Sequence, residues 1–132
     1  MTLVVDASVA VKWVLNEEGS DRASALRDQT GLVAPSLIAS EIGNALWKAE
    51  RRGDISRDDA IAAMRSILGP FDTLAPNETL HMRALELAVD LQHPIYDCFY
   101  LALAERENAT LLTADARLMA AATKAKIQAR RL

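Results

Sequence analysis

The chain has 132 residues, 51% of them hydrophobic, enough for one packed core and a single domain over residues 1–132. Fifteen basic against 18 acidic residues give a net charge of −3, which argues against passive DNA coating, and two each of Trp, Tyr and Phe are too few for a base-stacking platform. The single cysteine, Cys98, has no partner for an intramolecular disulfide, and neither a signal-peptide pattern nor an uncharged run of ~18 residues is seen, so a reducing, cytoplasmic setting without membrane insertion is expected.

Leu3-Val4-Val5 reads as a buried strand, and Ala7 to Leu15 as a helix ending before Asn16 and Gly19. Ser20 to Gln29 reads as a polar helix, and Gly31-Leu32-Val33-Ala34 as a second strand closed by Pro35. From Ser36 to Arg52 apolar residues recur at Leu37, Ile38, Ile42, Ala45, Leu46 and Ala49, the spacing of one helical face, and Gly53 follows the basic run Lys48, Arg51, Arg52 as a stop signal. Ser56-Arg57-Asp58-Asp59 is a capping-box variant opening a helix to about Leu68, broken by Gly69-Pro70. Phe71 to Leu74 is a weak third strand, and Asn77 to Leu91 and Pro94 to Asn108 are helices. Ala109 to Thr113 is a fourth strand, Asp115 to Lys124 a helix, and Lys126 to Ala129 a short last strand. Alternating strands and helices predict an α/β fold with a parallel sheet covered on both faces, whose functional crevice lies beyond the strand C-termini.

Polar residues in unfavourable places gather where that rule points. Asp6 follows the first strand directly, and Asp115 follows the fourth after one residue. Glu41 is four residues from both Leu37 and Ala45, which turns it toward the buried side of its helix, with Asn44 on the same face. Asp97 lies in the first turn after Pro94 and shares a face with Leu101 and Ala104. Each acid alone reads equally well as a helix cap or a paired charge. Together, four acids converging from four segments repel one another unless a cation stands among them. Oxygen ligands select a hard ion, Mg²⁺ or Mn²⁺, whereas Cys98, His81 and His93 lack any zinc-site spacing. Such an ion activates water and neutralises phosphate oxygens, which points to phosphodiester hydrolysis.

VVDASV, SEIGNALWK, YDCFYLALAE and LLTAD resemble, in order and spacing and over nearly the whole chain, the PIN-domain ribonucleases, above all the VapC toxins of toxin–antitoxin pairs. The resemblance implies a three-layer α/β/α fold with a five-stranded parallel sheet in order 3-2-1-4-5. It implies RNA cleavage with Mg²⁺ or Mn²⁺ held by Asp6, Glu41, Asp97 and Asp115, supported by Thr113, Ser8 and Asn44. It also implies a homodimer and a small cognate antitoxin that occludes the site. Some members carry a further acid two residues after the Asp115 position; here that residue is Arg117, so one well-held ion is expected, a second arriving with substrate.

Rival readings fail on particular residues. A phosphoryl-accepting receiver needs an Asp after its third strand, where this chain has Ala75-Pro76-Asn77, and an Asp-x-Asp phosphatase needs a second acid where Ser8 stands. No phosphate-binding Gly-rich loop is present. The alternative left standing is a non-catalytic protein- or RNA-binding module on the same fold. Tyr96, Phe99, Tyr100 and Leu103 read as packing residues, Trp13 and Trp47 as core or an interaction patch, Cys98 as a small buried hydrophobe, His93 as a loop residue and His81 as solvated. Lys48, Arg51 and Arg52, or Lys124, Lys126, Arg130 and Arg131, are candidate grips for RNA phosphates.

Overall fold

The computed structural model describes residues 1–132. Five short strands, β1 (Leu3–Val5), β2 (Leu32–Pro35), β3 (Thr73–Ala75), β4 (Thr110–Thr113) and β5 (Ala129–Arg131), form one sheet. Seven helices connect them: α1 (Ala7–Ala10), α2 (Ser20–Ser24), α3 (Ile38–Arg51), α4 (Arg57–Ser66), α5 (His81–Leu91), α6 (Ile95–Glu107) and α7 (Ala116–Lys124). All pairings are parallel, in the order β3-β2-β1-β4-β5. The fold is the predicted α/β arrangement with the predicted strand order.

Burial explains the sequence pattern of the central strand. Every residue of β1 is buried, because helices cover both sides of the sheet, so β1 is continuously apolar rather than alternating. Helix α6 crosses β1, β2 and β4 and pairs with α5, while α7 covers β4 and β5. Helix α3 packs on α1 and α4. One core of 34 buried apolar residues joins the three layers. The chain leaves β1 toward β2 and leaves β4 toward β5, so the connections from these neighbouring, still-paired strands lead to opposite sides and leave a crevice beyond their C-terminal ends.

Some boundaries differ from the periodicity reading, each for a local reason. The helix expected over Ala7 to Leu15 tightens into a 3₁₀ turn at Val11–Trp13, which brings Trp13 into the core, its indole N–H donating to the Ala23 carbonyl at 2.8 Å. The polar helix expected to reach Gln29 ends at Ser24. Gly31 then turns the chain into β2 with φ +83°; a Cβ there would stand 2.4 Å from the Met1 carbonyl oxygen, so only glycine fits. The third strand begins at Thr73, because Phe71 packs against Trp13 with ring centroids 5.5 Å apart. The last strand is Ala129–Arg131, not Lys126 to Ala129: Lys126 occupies a left-handed turn at φ +59° and Ile127 anchors that turn in the core, so pairing with β4 starts at Ala129. The Ser56 cap forms as expected, its Oγ accepting from the Asp59 N–H at 3.0 Å.

Candidate active site

The end of β1 delivers Asp6 into the β1–β4 crevice, its backbone N–H bonded to the Leu112 carbonyl. Asp6 is only 5% exposed, and it and Thr113 are the only buried polar residues. Ser8 Oγ donates to Asp6 Oδ1 at 2.6 Å and Thr113 Oγ1 donates to Oδ2 at 2.8 Å. Each hydroxyl also accepts a backbone N–H: Ser8 from Ala114 at 2.9 Å, Thr113 from Asp115 at 3.0 Å. With both hydroxyl protons committed to the carboxylate, the 3.4 Å approach of Ser8 and Thr113 adds little. Burial pushes the Asp6 carboxyl up to about 7 against the two hydroxyl bonds, and the charge of Asp97 adds to the rise.

Helices α3 and α6 bring the next two acids. Burial raises the Glu41 carboxyl, the Tyr100 hydrogen bond opposes it, and Asp97 raises it further. Asp97 thus acts on Asp6 and on Glu41, which places the three in one electrostatic pocket. Tyr100, itself 1% exposed, donates to Glu41 Oε1 at 2.5 Å. Burial first, and then Glu41, hold its phenol well above the usual range, so it remains a donor. His93 Nε2 lies 2.7 Å from Asp97 Oδ2. Asp115 caps α7, its Oδ1 accepting from the Arg117 N–H at 2.8 Å, and joins the cluster through its own N–H to Thr113.

The donor set suits a hard cation. None of the four acids lies within ion-pair distance of a lysine or arginine. Glu41 Oε2, Asp97 Oδ1 and Asp115 Oδ2 have no protein donor. As the side chains stand, however, no three His, Cys, Asp or Glu groups are close enough to hold a metal ion; Glu41, Asp97 and Asp115 each have one oxygen on a protein partner. Holding an ion would require these acids to stand closer together than they do, with Asp6 the one most firmly tied.

The remaining residues divide cleanly. Asn44 is exposed and its amide forms no hydrogen bond to the acids. Tyr100, Leu103 and Cys98 are buried as expected, whereas Tyr96 is 63% exposed. Trp13 is core, while Trp47 is exposed under the Arg51 guanidinium, 5.2 Å from its ring centre. Tyr100, three residues after Asp97, and His93, four before it, are the site residues that the sequence reading placed as packing and loop; neither carried a pattern of its own.

Residues 3–124 match the family described as PIN domain. The chain is 35% identical over 121 residues to Ribonuclease VapC3 of Pyrobaculum aerophilum, covering 89% of this chain and 92% of that one. It is 34% identical over 116 residues to Ribonuclease VapC9 of Mycobacterium tuberculosis, covering 88% and 87%. Its fold superposes on the crystal structure of PAE2754 from Pyrobaculum aerophilum with a TM-score of 0.74 at 27% identity, over 92% of this chain and 86% of that one. With the crevice, strand order and acid placement described above, these likenesses leave one assignment: the chain belongs to the PIN-domain family, in its VapC branch.

Proposed function

We propose that this chain is a metal-dependent endoribonuclease, the toxin of a toxin–antitoxin pair, formed by one domain over residues 1–132. The observation that carries the reading is the group of acids without a lysine or arginine partner at the β1–β4 crevice, where the charge of Asp97 raises the carboxyls of both Asp6 and Glu41. Asp6, Glu41, Asp97 and Asp115 are the residues that would hold Mg²⁺ or Mn²⁺, and such an ion, when bound, lowers the pKa of a coordinated water and neutralises charge on a phosphate. Ser8 and Thr113 fix Asp6, Tyr100 steadies Glu41, and His93 steadies Asp97. Thr113 also fixes the entry to α7 and so the position of Asp115.

Relatives named ribonucleases support the activity, and their VapC names support a small antitoxin as partner. An apolar cavity of about 360 Å³ between α3 and α4, with Leu46, Trp47, Ile61 and Met64 in its wall, is the surface suited to that partner. Met82, Leu85 and Val89, exposed along one face of α5, suit a second copy of the chain in a homodimer. No helix is long and apolar enough to cross a membrane, in keeping with the cytoplasmic location proposed.

Incubation of the purified chain with cellular RNA in Mg²⁺ or Mn²⁺ tests the reading. Discrete cleavage products are expected, lost with a chelator and lost in Asp97→Asn. RNA that stays intact with either ion, or cleavage that survives Asp97→Asn, would overturn it.

A further inference from the structure

On the β4–β5 side of the acids a cavity of about 380 Å³ opens among Lys12, Glu18, Arg22, Ala114, Arg131 and Leu132. Its wall sets three cations against one carboxylate, the reverse of the charge next door. The two regions share a backbone. Ala114 stands between Thr113 and Asp115 and donates its N–H to Ser8 Oγ at 2.9 Å. Arg131 stands opposite Thr113 in the β4–β5 register, and the Leu132 N–H donates to the Thr113 carbonyl at 2.8 Å. Lys12 follows Ser8 by four residues, about one turn.

Gly19 makes the convergence possible. A Cβ at this residue, whose φ is +84°, would lie 3.2 Å from Arg22 Nη2, 3.5 Å from Leu132 Cδ2 and 3.8 Å from Lys12 Cδ. Bare backbone there lets α2, the turn after α1 and the last strand close together. Neither Arg22 nor Arg131 has a carboxylate within ion-pair distance, and Lys12 touches Glu17 at 3.5 Å. Arg22 and Arg131, gathered without a partner, repel each other, so the arrangement favours an anionic occupant. An RNA strand carries a charge on every phosphate, so a strand with one phosphate at the acids can present a neighbouring one to this wall. An acidic protein segment, by contrast, would bring carboxylates alongside four acids.

We infer that this cavity binds a backbone phosphate of the RNA strand adjacent to the phosphate being cleaved, with Lys12, Arg22 and Arg131 as its ligands. The inference rests on the ribonuclease reading. Arg22 and Arg131 are exposed, so their replacement leaves the fold intact.

The test is the double variant Arg22→Gln/Arg131→Gln, placed in an Asp97→Asn background so that RNA survives. Its affinity for a short single-stranded oligoribonucleotide is measured across salt concentrations. The slope of log K against log salt is expected to fall by about 0.7, the value for one lost phosphate contact, with a rise in Kd of about fivefold at about 0.1 M salt. The pair Arg65→Gln/Arg106→Gln removes equal charge outside the cavity and is expected to keep the parent slope. An unchanged slope in the cavity variant, or an equal fall in the control pair, overturns the proposal. So does intact RNA binding with lost binding of a polyglutamate peptide, which would give the cavity to a protein partner. Cleavage by the unmutated chain is measured in parallel. Cleavage with an unchanged cavity slope defeats only the cavity, whereas a changed slope without cleavage defeats only the ribonuclease reading.

Discussion

The two sides of the acidic crevice are built differently. At the strand ends, Asp6 is buried and both its oxygens are bound by hydroxyls that are themselves held by backbone N–H groups. On the helices, Glu41 and Asp97 are partly exposed and each leans on one side chain, Tyr100 or His93. The first side is a knot cross-braced by four hydrogen bonds, the fixed side; the second, with one contact for each acid, is the less constrained and movable side. A site that must gather acids against their own repulsion thus keeps one acid immobile and lets the others adjust.

Asp6→Asn should break the knot most severely. Loss of a principal ligand, at several kcal/mol of transition-state stabilisation, lowers kcat/KM by about a thousandfold. The same change should raise stability in chelator at pH 8. Asp6 has a folded-state pKa of about 7 against an ordinary 3.8, so folding favours its neutral form. Stability therefore falls as pH rises from about 4 to about 7 and then levels. The variant has no such loss, so melting curves at pH 4 and pH 8 should show its advantage only at pH 8. Added Mg²⁺ should raise the Tm of the parent chain and not of the variant. A variant that melts lower at both pH values would show that the carboxylate is stabilising in this setting.

Thr113→Val keeps shape but removes the hydroxyl that links Asp6 to the Asp115 N–H. Activity should fall about 10- to 100-fold, and unfolding in urea should show a loss of about 1–3 kcal/mol from the unsatisfied buried groups. Tyr100→Phe acts on the adjustable side. It should cost about tenfold in kcat and raise the Mg²⁺ concentration for half-maximal activity, with a stability change of about 1 kcal/mol or less. His93→Gln, whose amide still reaches toward Asp97, should cost about two- to threefold. If the helix-side variants lose as much stability as Thr113→Val, the contrast between a fixed and a movable side is wrong.

How much of this was legible in the sequence depended on the range of the interaction. Asp6 and Asp115 could be placed because each ends a short apolar strand, a signal contained within a few residues. Strand order came from the family resemblance and not from periodicity. The last strand was misplaced because Ile127 supplies the apolar signal of a strand while serving a turn. Asn44 shares a flank of α3 with Glu41, yet stands farther from the stripe formed by Ile38, Ile42, Leu46 and Ala49, and this drift carries it into solvent. The bond from Tyr100 to Glu41 spans 59 positions, and no local pattern encodes it. His93 looked like a loop residue and is one; its role arises because α6 begins at Ile95 and so holds Asp97, in its first turn, within reach of the His93 ring.

The hydrogen bond from Thr113 to Asp6 joins positions 107 residues apart. The first strand described is therefore completed by one made more than a hundred residues later, and the contact order of the crevice is high. A nascent chain that has exposed Asp6 and Glu41 but not β4 holds two acids without the hydroxyl that locks the first. For a nuclease born beside its own message and ribosome, competence would arrive only once β4 has been made and has paired with β1.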